Sequence, residues 1–483
     1  MAIALSVPTA AHVARTKIVC TLGPASSARD TLRDLISAGL DVARINFSHG
    51  THEQHAHVIE TIRSLARELG HPVAVLGDLQ GPRIRIGSLP ETIALTEGAD
   101  VILAPEDDSR AGDIPVTYDL LAKDLKAGDR ILVDDGLLDL VALEVAPPRV
   151  HARVVHGGPL RSHKGMNFPG VLVSAPSITD KDRADIEFAI AQGVDYLALS
   201  FVRRASDIQA LRAMIPKAML IVAKIEKDTA LANIESILRV ADAVMVARGD
   251  LGVELPFEEV PIAQKRIIAA ANAMGRPVIT ATQMLESMVT NPRPTRAEAS
   301  DVANAILDGT DAVMLSAETA TGAYPVLAVG AMTRIITEIE KQPPAQRDRP
   351  LPIAAQPSDG PVATEDAIGA ATVAAVRLLR APVVIVFTKS GFTARIVSSH
   401  RPDVPILALT DTESTYHQLA LVWGVYSELV PQTPDRSYTE MVKHGLAAVL
   451  ARGFAKEGDR VVVTAGVPFD VPGTTNFMKI EVV

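Results

Sequence analysis

Short apolar runs alternate with longer amphipathic segments along most of this chain, and the two kinds of segment predict strands and helices. Eight apolar runs have the length and β-branched content of buried strands. They are TKIVCTLG (16–23), DVARINFS (41–48), HPVAVLGDL (71–79), DYLALSFV (195–202), MLIVAKIE (219–226), AVMVARGD (243–250), RPVITATQM (276–284) and AVMLSAET (312–319). The intervening segments, such as HAHVIETIRSLARELG (55–70), carry apolar residues at helical spacing. Eight such repeats favour an α/β fold, a parallel (β/α)8 TIM barrel, over a doubly wound open sheet.

Two further regions break this alternation and predict separate domains. Residues 82–174 contain short alternating runs punctuated by Gly, Pro and Asp, typical of an all-β domain inserted after the third barrel strand. Residues 341–361 are rich in proline and polar residues and predict a linker. The segment after it begins with a helical pattern and carries three parallel-type strands, which indicates a C-terminal α/β domain. The expected boundaries are 1–81 and 175–342 for the barrel, 82–174 for the insert and 343–483 for the last domain.

Composition and charge narrow the function classes. The chain has 47 Lys and Arg against 57 Asp and Glu, a net charge of −10, which disfavours binding to nucleic acid or to an anionic membrane. No apolar stretch reaches the roughly 18 residues that span a bilayer. The one cysteine, Cys20, has no internal partner for a disulfide, which indicates a reducing compartment. We therefore expect a cytoplasmic chain without a membrane or nucleic-acid partner.

Polar residues follow the predicted strands with a spacing of two, and this feature points to chemistry. Because side chains alternate along a strand, Lys224 and Glu226 share one face. The same spacing recurs at Arg44, Asn46 and Ser48, at Arg83 and Arg85, at Thr280 and Thr282, and at Ser316 and Glu318. In a parallel barrel, the carboxyl ends of the strands frame the active site. We therefore expect five strand ends to bring polar groups to one rim.

Two acids at this rim predict a metal site. Placing Glu226 and Asp250 close together costs free energy unless a cation lies between them. Carboxylate and water ligands suit a hard divalent ion, Mg2+ or Mn2+. Any single charged pair suits an ion pair that seals the barrel mouth equally well, but a sealing role explains the whole set poorly.

The cations at the same rim predict bound phosphates. Lys224 and Arg44 are placed to hold one anion, and Arg85 with Lys164 a second one. Gly249 lets the backbone approach a ligand closely, although a Gly-Asp pair alone usually marks only a turn. Enzymes that transfer phosphoryl groups typically combine a metal ion with arginine and lysine side chains.

Long motifs in the chain resemble those of the pyruvate kinase family. They are TKIVCTLGPAS (16–26), DVARINFSHGTH (41–52), GDLQGPRIRIG (77–87), KGMNFPG (164–170), AKIEK (223–227), VARGDLGVELP (246–256), ITATQMLESM (279–288) and DAVMLSAETATGAYP (311–325). The resemblance implies transfer of a phosphoryl group from phosphoenolpyruvate to ADP, giving pyruvate and ATP, with Mg2+ or Mn2+ as cofactor. It also implies a homotetramer in which the insert is a mobile β-barrel lid and the C-terminal domain is regulatory.

The resemblance also implies a role for each matched position. The metal ligands are Glu226 and Asp250. The phosphoenolpyruvate contacts are Arg44, Lys224, Gly249, Asp250 and Thr282, of which Lys224, Arg44 and Thr282 are catalytic. The nucleotide-binding positions are Asn46, Phe47, Ser48, His49, Arg85 and Lys164. Because a threonine is a poor acid, Thr282 is expected to orient a water, shared with Ser316 and Glu318, that protonates the enolate.

One motif departs from the family pattern after the third strand. Many members place Thr-Lys after the aspartate of this strand and a glutamate beyond the following Gly-Pro, and they need K+ beside the phosphate. Here Leu79, Gln80, Arg83 and Ile86 stand at the positions that differ. Because the guanidinium of Arg83 carries the same single positive charge as K+, we predict that Arg83 substitutes for the monovalent cation and that K+ is not required.

A strand-to-helix turn in the C-terminal domain predicts a second phosphate site. The sequence FTKSGFTARI (387–396) places Thr388, Lys389, Ser390, Gly391 and Thr393 where hydroxyls and free N–H groups meet at a helix start. An ordinary capped helix start fits the same pattern. In the family this turn binds a phosphorylated effector, so the resemblance implies allosteric control by a phosphorylated small molecule.

Two other functions compete with this interpretation. A metal-dependent barrel aldolase or lyase would also use two acids and an arginine on a pyruvate enolate, but it leaves Arg85, Lys164 and the insert unexplained. A nucleotide-binding regulatory protein without activity would be expected to lack Lys224 or a metal ligand, and none is missing. His52, His55 and His57 are interpreted as solvent-facing helix positions.

Overall fold

The computed structural model describes residues 14–342, 362–431, 437–468 and 473–483. Most of the expected linker at 341–361, and with it the expected boundary after residue 342, lies outside these residues. Across the described ranges, no helix combines the length and apolar character needed to span a bilayer.

The first barrel segment contains three strands and two helices. They are β1 (Lys17–Leu22), α1 (Arg29–Ala38), β2 (Val42–Asn46), α2 (His52–Leu69) and β3 (Ala74–Asp78). A capping box starts α2, because the Thr51 side chain accepts from the Gln54 N–H while the Gln54 side chain accepts from the Thr51 N–H. Gly70, in the left-handed conformation at φ 60°, ends this helix.

The inserted segment is built mainly of strands. They are β4 (Ile93–Leu95), β5 (Asp100–Pro105), β6 (Ile114–Val116), β7 (Arg130–Val133), β8 (Leu138–Ala146), β9 (Arg149–His156), β10 (Gly158–Leu160) and β11 (Met166–Asn167), with one short helix, α3 (Leu121–Asp124). Six strands form one sheet in the order β11-β7-β8-β9-β5-β6, and β10 pairs with β4 in a second sheet. The predicted all-β character of the insert is confirmed. The segment at residues 84–87 connects the two edges of the larger sheet, because Arg85 pairs with Gly165 beside β11 and Ile86 pairs with Val116 of β6.

The second barrel segment supplies five more strands with their helices. The strands are β12 (Tyr196–Leu199), β13 (Leu220–Ile225), β14 (Ala243–Ala247), β15 (Val278–Ala281) and β16 (Ala312–Leu315). The helices are α4 (Asp180–Ala191), α5 (Ala205–Arg212), α6 (Asp228–Ala232), α7 (Ile234–Leu238), α8 (Arg248–Glu254), α9 (Val260–Ala273), α10 (Arg296–Asp308), α11 (Ala317–Ala320) and α12 (Pro325–Glu340).

The barrel is closed and parallel, in the strand order β1-β16-β15-β14-β13-β12-β3-β2. The predicted TIM barrel is therefore confirmed. Because β12 lies beside β3, the insert leaves and re-enters the barrel at neighbouring strands. Apolar side chains such as Leu76, Tyr196 and Val222 fill the interior, while a larger apolar layer packs the helices onto the strands.

The C-terminal domain is an α/β unit, as predicted. Its elements are α13 (Thr364–Leu379), β17 (Val384–Phe387), α14 (Phe392–Ser399), β18 (Ile406–Thr410), α15 (Glu413–Gln418), β19 (Val425–Leu429), α16 (Tyr438–Ala451), β20 (Arg460–Ala465) and β21 (Phe477–Val482). The sheet order is β19-β18-β17-β20-β21, with only β21 antiparallel to its neighbour. The domain packs under the barrel, where the Tyr196 hydroxyl donates to the Gln418 carbonyl at 2.7 Å.

Candidate active site

Strand ends on one side of the barrel bring buried charges together at its carboxyl end. Arg44 of β2 donates through Nε to Asp78 Oδ2, the last residue of β3, at 2.7 Å. The Lys224 ammonium of β13 lies 3.2 Å from the other oxygen of Asp78. Asp78 is only 1% exposed. No catalytic or substrate-binding role was predicted for Asp78 from the sequence, although it stands at a strand end like the other charged residues.

Lys224 also connects Asp78 with Ser200, which follows β12, and with Glu226, which follows β13. Its ammonium lies 3.0 Å from Glu226 Oε1 and donates to the Ser200 hydroxyl at 2.7 Å. The second oxygen of Glu226 accepts from the Phe201 N–H at 2.7 Å. The period-two spacing of Lys224 and Glu226 therefore places both groups on one face, as the alternation of strand side chains requires.

The charges of Lys224, Asp78 and Glu226 shift one another's pKa values. Burial acts to lower the pKa of Lys224, but Asp78 and Glu226 raise it well above its ordinary value. Burial acts to raise the pKa of Asp78, but Lys224 and Arg44 lower it overall. Burial raises the pKa of Glu226, and the nearby Asp250 carboxylate adds to this effect. The pair Glu226 and Asp250 is thus the part of the site in which negative charge is poorly compensated.

The donor set at Glu226 and Asp250 fits a hard divalent cation. In the described part of the chain, the Asp250 side chain makes no hydrogen bond or ion pair, and it lines a small cavity with Lys227 and Phe201. No cluster of three or more His, Cys, Asp or Glu side chains suited to a metal occurs among the described residues. A cation held here therefore needs water or substrate oxygens beside the two carboxylates.

Thr282 follows β15 in a strained conformation that faces the start of α8. Its φ of 70° lies in the left-handed region, which β-branched residues rarely adopt. The Gly249 N–H donates to Thr282 Oγ1 at 2.8 Å, and Arg248 donates to the Thr282 carbonyl at 2.6 Å. The expectation that Thr280 and Thr282 share a face is wrong, because the turn at Thr282 ends the alternation, whereas Thr280 faces the layer between strands and helices and donates to Thr310.

Ser316 and Glu318, also expected at the rim, follow β16. Glu318 is fully buried, and its oxygens accept from the N–H groups of Leu285 and Ser316 at 3.1 and 2.6 Å. The Ser316 hydroxyl is buried and has no hydrogen-bond partner among the described residues. Glu318 therefore holds the backbone, while the Ser316 hydroxyl stays available to a ligand or water.

The motif from Asn46 to His49 forms a loop that other elements hold by its carbonyl groups. Lys181 of α4 donates to the Phe47 carbonyl at 2.6 Å and pairs with Asp185 at 2.7 Å. The His55 ring contacts the His49 carbonyl at 2.9 Å. The Ser48 N–H donates to the Asn46 side chain at 3.1 Å. Lys181 was missed from sequence because its partner lies 134 residues away in the chain.

Two histidines after this motif, His52 and His55, contact neighbouring elements. His52 contacts Asp185 at 2.8 Å and stacks on Phe188 at a ring-centroid distance of 4.3 Å. Burial lowers the pKa of His55. His52 is nevertheless exposed, as expected for a solvent-facing position, whereas His55 is half-buried against the loop, so that interpretation was wrong for His55.

Arg83, Arg85 and Lys164 lie on the insert side of the mouth. Arg85 forms an isolated bridge with Gly165, so the expectation that it ends a barrel strand is wrong. Burial lowers the pKa of Arg85, and the neighbouring Arg83 charge lowers it further. Lys164 pairs with Asp134 of the insert at 2.8 Å. Arg83 is exposed and lines the same cavity as Asp250.

Two polar contacts fasten the insert to the barrel beside this site. Arg203, two residues after Phe201, donates to the carbonyls of Val173 and Ala175, the latter at 3.0 Å. Asn167 of β11 donates to Glu254 of α8 at 3.1 Å, and Lys227 also binds this carboxylate. The insert therefore approaches the mouth on the side of Glu226 and Asp250.

The turn expected to bind an effector lies in the C-terminal domain, on separate elements from the barrel mouth. Gly391, at φ 76°, precedes α14. The Thr393 hydroxyl is already engaged, since it donates to the Thr474 carbonyl at 3.3 Å and accepts from Thr475 at 2.9 Å. The Lys389 carbonyl accepts from the Thr415 hydroxyl at 2.8 Å. Thr388 and Ser390 are half-buried on the same turn.

Comparisons with known proteins cover both the barrel and the C-terminal domain. Residues 13–329 match the family model "Pyruvate kinase, barrel domain", and residues 366–481 match "Pyruvate kinase, alpha/beta domain". The chain is 46% identical over 477 residues to a pyruvate kinase of Geobacillus stearothermophilus, covering 97% of this chain and 80% of that protein. It is 46% identical over 471 residues to one of Agrobacterium vitis, covering 96% and 98%. A crystal structure of a Cryptosporidium parvum pyruvate kinase superimposes with a TM-score of 0.92 at 36% identity, covering 97% of this chain and 96% of the other.

Proposed function

Because the chain belongs to the pyruvate kinase family and is a phosphotransferase acting on phosphoenolpyruvate and ADP, we propose that the mouth of its barrel carries out the transfer with the residues described above. The observation that supports this most directly is the position of the Lys224 ammonium, 3.2 Å from Asp78 at the end of β3 and 3.0 Å from Glu226 at the end of β13, the two strands that flank β12. A cation fixed at this position can stabilise the negative charge on a phosphoryl group during its transfer.

Transfer breaks the bond between phosphorus and the enolate oxygen while a β-phosphate oxygen of ADP forms the new bond. Lys224 and Arg44 stabilise the negative charge on the oxygens of the migrating group. The Gly249 N–H and Thr282 hydroxyl, joined at 2.8 Å, orient the substrate and a water. That water, beside the unpartnered Ser316 hydroxyl, protonates the enolate carbon and leaves pyruvate.

Glu226 and Asp250 are the residues that would hold the divalent cation, Mg2+ or Mn2+. A bound cation of this kind supplies positive charge that compensates the two carboxylates and polarises a phosphoryl oxygen. The unpartnered Asp250 carboxylate and the raised pKa of Glu226 both support the assignment.

The loop from Asn46 to His49, with Arg85 and Lys164 across the mouth, is proposed to bind the nucleotide. The Arg85 guanidinium makes no side-chain hydrogen bond or ion pair within the described ranges, so it is available to a phosphate. The insert, residues 82–174, is proposed to act as a lid whose closure excludes water from the reacting phosphate.

The proposed function is tested by an assay for pyruvate formation from phosphoenolpyruvate. We expect pyruvate to appear only when ADP and a divalent cation are both present, and ATP to appear in equal amount. Chelation of the cation should abolish the rate and its return should restore it. Pyruvate formation without ADP, or aldol cleavage of a keto acid by the same preparation, would favour the lyase interpretation.

Independence from K+ is proposed from the position of Arg83. Its guanidinium lines the same cavity as Asp250 and makes no ion pair in the described chain. We expect equal rates in potassium and tetramethylammonium salts. The variant Arg83→Glu should become K+-dependent, whereas the matched variant Arg161→Glu, also exposed on the insert, should not. A collapse of wild-type activity without K+ would contradict the assignment.

A phosphorylated effector is proposed to bind the turn of Thr388, Lys389, Ser390, Gly391 and Thr393. The left-handed Gly391 at the start of α14 supports a backbone N–H cradle at this turn. Initial rates measured against a panel of sugar phosphates and AMP test it. We expect at least one compound to lower the KM for phosphoenolpyruvate, and the variant Ser390→Ala to weaken that response without changing the basal rate.

A homotetramer in the cytoplasm is proposed as the working form. Phe257 and Ile262, just before and within α9, are 85% and 66% exposed, and a second subunit would cover apolar side chains of this size. Light scattering of the wild-type protein and of the double variant Phe257→Ser, Ile262→Ser tests the assembly. We expect the variant to shift towards smaller species.

A further inference from the structure

A narrow cleft separates the amino-terminal end of the barrel from α14 of the C-terminal domain, at the far end from the barrel mouth. Arginines line it from both sides: Arg276 precedes β15, Arg395 belongs to α14 and Arg401 follows α14. The other polar residues of the lining are Asn272, Asp311, Ser398 and Ser399. Three cations thus share a small space with one carboxylate.

Arg401 uses that carboxylate. Its Nη1 lies 2.8 Å from Asp311 Oδ1, and its Nη2 donates to the Asn272 side chain at 3.1 Å and the Gly309 carbonyl at 3.0 Å. The residue is only 8% exposed, yet its Nε has no hydrogen-bond partner. The second oxygen of Asp311 accepts from the Val278 N–H at 2.9 Å. Among the described residues, Asp311 makes no hydrogen bond or ion pair with Arg276 or Arg395.

Arg276 and Arg395 face the cleft without an acid of their own. The Nε of Arg276 donates to the Leu238 carbonyl at 3.1 Å, and this is its one side-chain hydrogen bond in the described chain. Arg395 makes neither a side-chain hydrogen bond nor an ion pair within the same ranges. The nearby Asp242 carboxylate pairs with Arg212 and accepts from the Ile221 N–H, both through Oδ2, and it makes no ion pair with Arg276 or Arg395 in the described chain.

The electrostatics of the two arginines agree with this geometry. Burial lowers the pKa of Arg276, and the charges of Arg395 and Arg212 lower it further against the opposite effect of Asp242. Burial likewise lowers the pKa of Arg395, against the opposite effects of Tyr196 and Asp242. Two like charges that repel each other in a partly desolvated cleft cost free energy until an anion lies between them.

We propose that this cleft binds a tetrahedral oxyanion, inorganic phosphate or the phosphate group of a small monoester, between Arg276 and Arg395. Guanidinium groups match such oxyanions with paired hydrogen bonds. Arg401 contributes its free Nε, and one dianion neutralises the two positive charges that Asp311 leaves uncompensated. The site uses neither the barrel mouth nor the hydroxyls of the turn at 388–391, although the Arg395 guanidinium lies beside Gly391 of that turn.

A purely structural role explains only part of the cluster. Arginines often bind the carbonyl groups that end helices, and Arg276 with Leu238, and Arg401 with Gly309, do so here. Arg395 binds no such carbonyl in the described chain. An anion site predicts that phosphate stabilises the protein through these arginines, whereas a structural role predicts the same effect of their loss in phosphate and in chloride, so the two roles are separable by experiment.

The test uses the full chain in four forms: wild type, Arg276→Met, Arg395→Met and the control Arg239→Met. Arg239 follows α7, next to the Leu238 carbonyl that Arg276 binds, but it is exposed, and among the described residues its one ion pair is with Glu235. Thermal unfolding midpoints are measured in phosphate and in chloride at equal ionic strength. We expect phosphate to raise the midpoint of wild type and Arg239→Met, and this rise to disappear in the other two variants. In chloride, Arg395→Met should be at least as stable as wild type, because it loses a repelled charge.

Crystals grown with selenate locate the anion directly, since selenium scatters anomalously. We expect a peak between Arg276 and Arg395 that is lost in Arg395→Met. Titration with phosphate and with glycerol 3-phosphate distinguishes a free oxyanion from a monoester, and an at least ten-fold weaker Kd in Arg395→Met supports the site for either probe. A stability loss in Arg395→Met that is the same in phosphate and chloride, or selenate peaks only at the barrel mouth and at residues 388–391, would overturn the proposal.

Discussion

The two ends of the barrel use buried charge in opposite ways. At the amino-terminal end, an aspartate one residue before each of four strands accepts the N–H of a neighbouring strand. The contacts are Asp41 to Ile18 at 2.9 Å, Asp195 to Val75 at 2.7 Å, Asp242 to Ile221 at 2.8 Å and Asp311 to Val278 at 2.9 Å. Each aspartate also pairs with one cation, respectively Lys17, Arg63, Arg212 and Arg401.

At the mouth, in contrast, charges are shared and incompletely matched. Lys224 serves both Asp78 and Glu226, while Asp250 has no partner among the described residues. Charge that is balanced within the chain fixes strand positions, and charge that waits for a ligand marks the reacting site. The arginine cleft is the exception at the amino-terminal end, because two of its cations lack an acid.

The largest expected effect comes from removing the shared cation at the mouth. Lys224→Met should lower kcat by about a thousand-fold, roughly 4 kcal/mol, because the ammonium acts on charge that develops during transfer. The KM for phosphoenolpyruvate should change only a few-fold. Steady-state kinetics check this, with Lys265→Met as control, since that lysine pairs with Asp308 at the surface. A large rise in KM with little change in kcat would assign Lys224 to binding instead.

Disrupting the matched charges at the other end should alter stability and leave catalysis intact. In Asp311→Asn the amide still accepts the Val278 N–H, but Arg401 keeps a buried charge without its acid. Breaking such a pair should cost about 3 kcal/mol of unfolding free energy. Denaturant unfolding measures this loss, and kcat per folded enzyme should stay within two-fold of wild type. A large fall in kcat would contradict the separation of roles between the two ends.

Acid should weaken the same end through His417 of α15, which is 4% exposed beneath the barrel. Burial, together with the charge of Arg63, lowers the pKa of His417 to about 3, below its ordinary 6.5. Between these values the unfolded chain binds the extra proton, so stability is complete above pH 6.5 and is lost as the pH falls. At pH 5 the loss is about 2 kcal/mol. Unfolding free energies from pH 7 to 5 should therefore fall less in His417→Gln than in wild type.

Most of the barrel and part of its site were predictable from the sequence. The eight apolar runs gave the strands, and the period-two spacing of Lys224 and Glu226 gave their common face, because both are local properties of one strand. The interaction of Arg44 with Asp78 and Lys224 was not predictable, since it depends on which strands become neighbours. Likewise, β19 and the antiparallel β21 carry too little local pattern to be predicted.

Thr282 shows a second limit of local patterns. The alternation of side chains predicts directions only within a strand, and Thr282 lies just beyond the end of β15. Its φ of 70° depends on contacts with Gly249 and Arg248 on another element. Strained conformations of this kind are maintained by tertiary structure and leave no signal in the sequence around them.

The smallest expected effect concerns the loop proposed to bind the nucleotide. Lys181 donates to the Phe47 carbonyl at 2.6 Å, so Lys181→Met should loosen the loop and raise the KM for ADP about five-fold, roughly 1 kcal/mol. Neither kcat nor the KM for phosphoenolpyruvate should change beyond two-fold. Lys181→Arg should restore most of the ADP affinity, because it keeps a donor and a charge at this place.

The control for Lys181 is Arg183→Met on the same helix, whose guanidinium lies 3.9 Å from the exposed Asp180 and does not contact the loop. A rise in the KM for both substrates would show that Lys181 supports the whole mouth. An unchanged KM for ADP, in an enzyme that still forms pyruvate, would show that the loop keeps its shape without this lysine. In that case the loop would be held by its other contacts, those of His55 with the His49 carbonyl at 2.9 Å and of the Phe47 N–H with the Asp78 carbonyl at 3.1 Å.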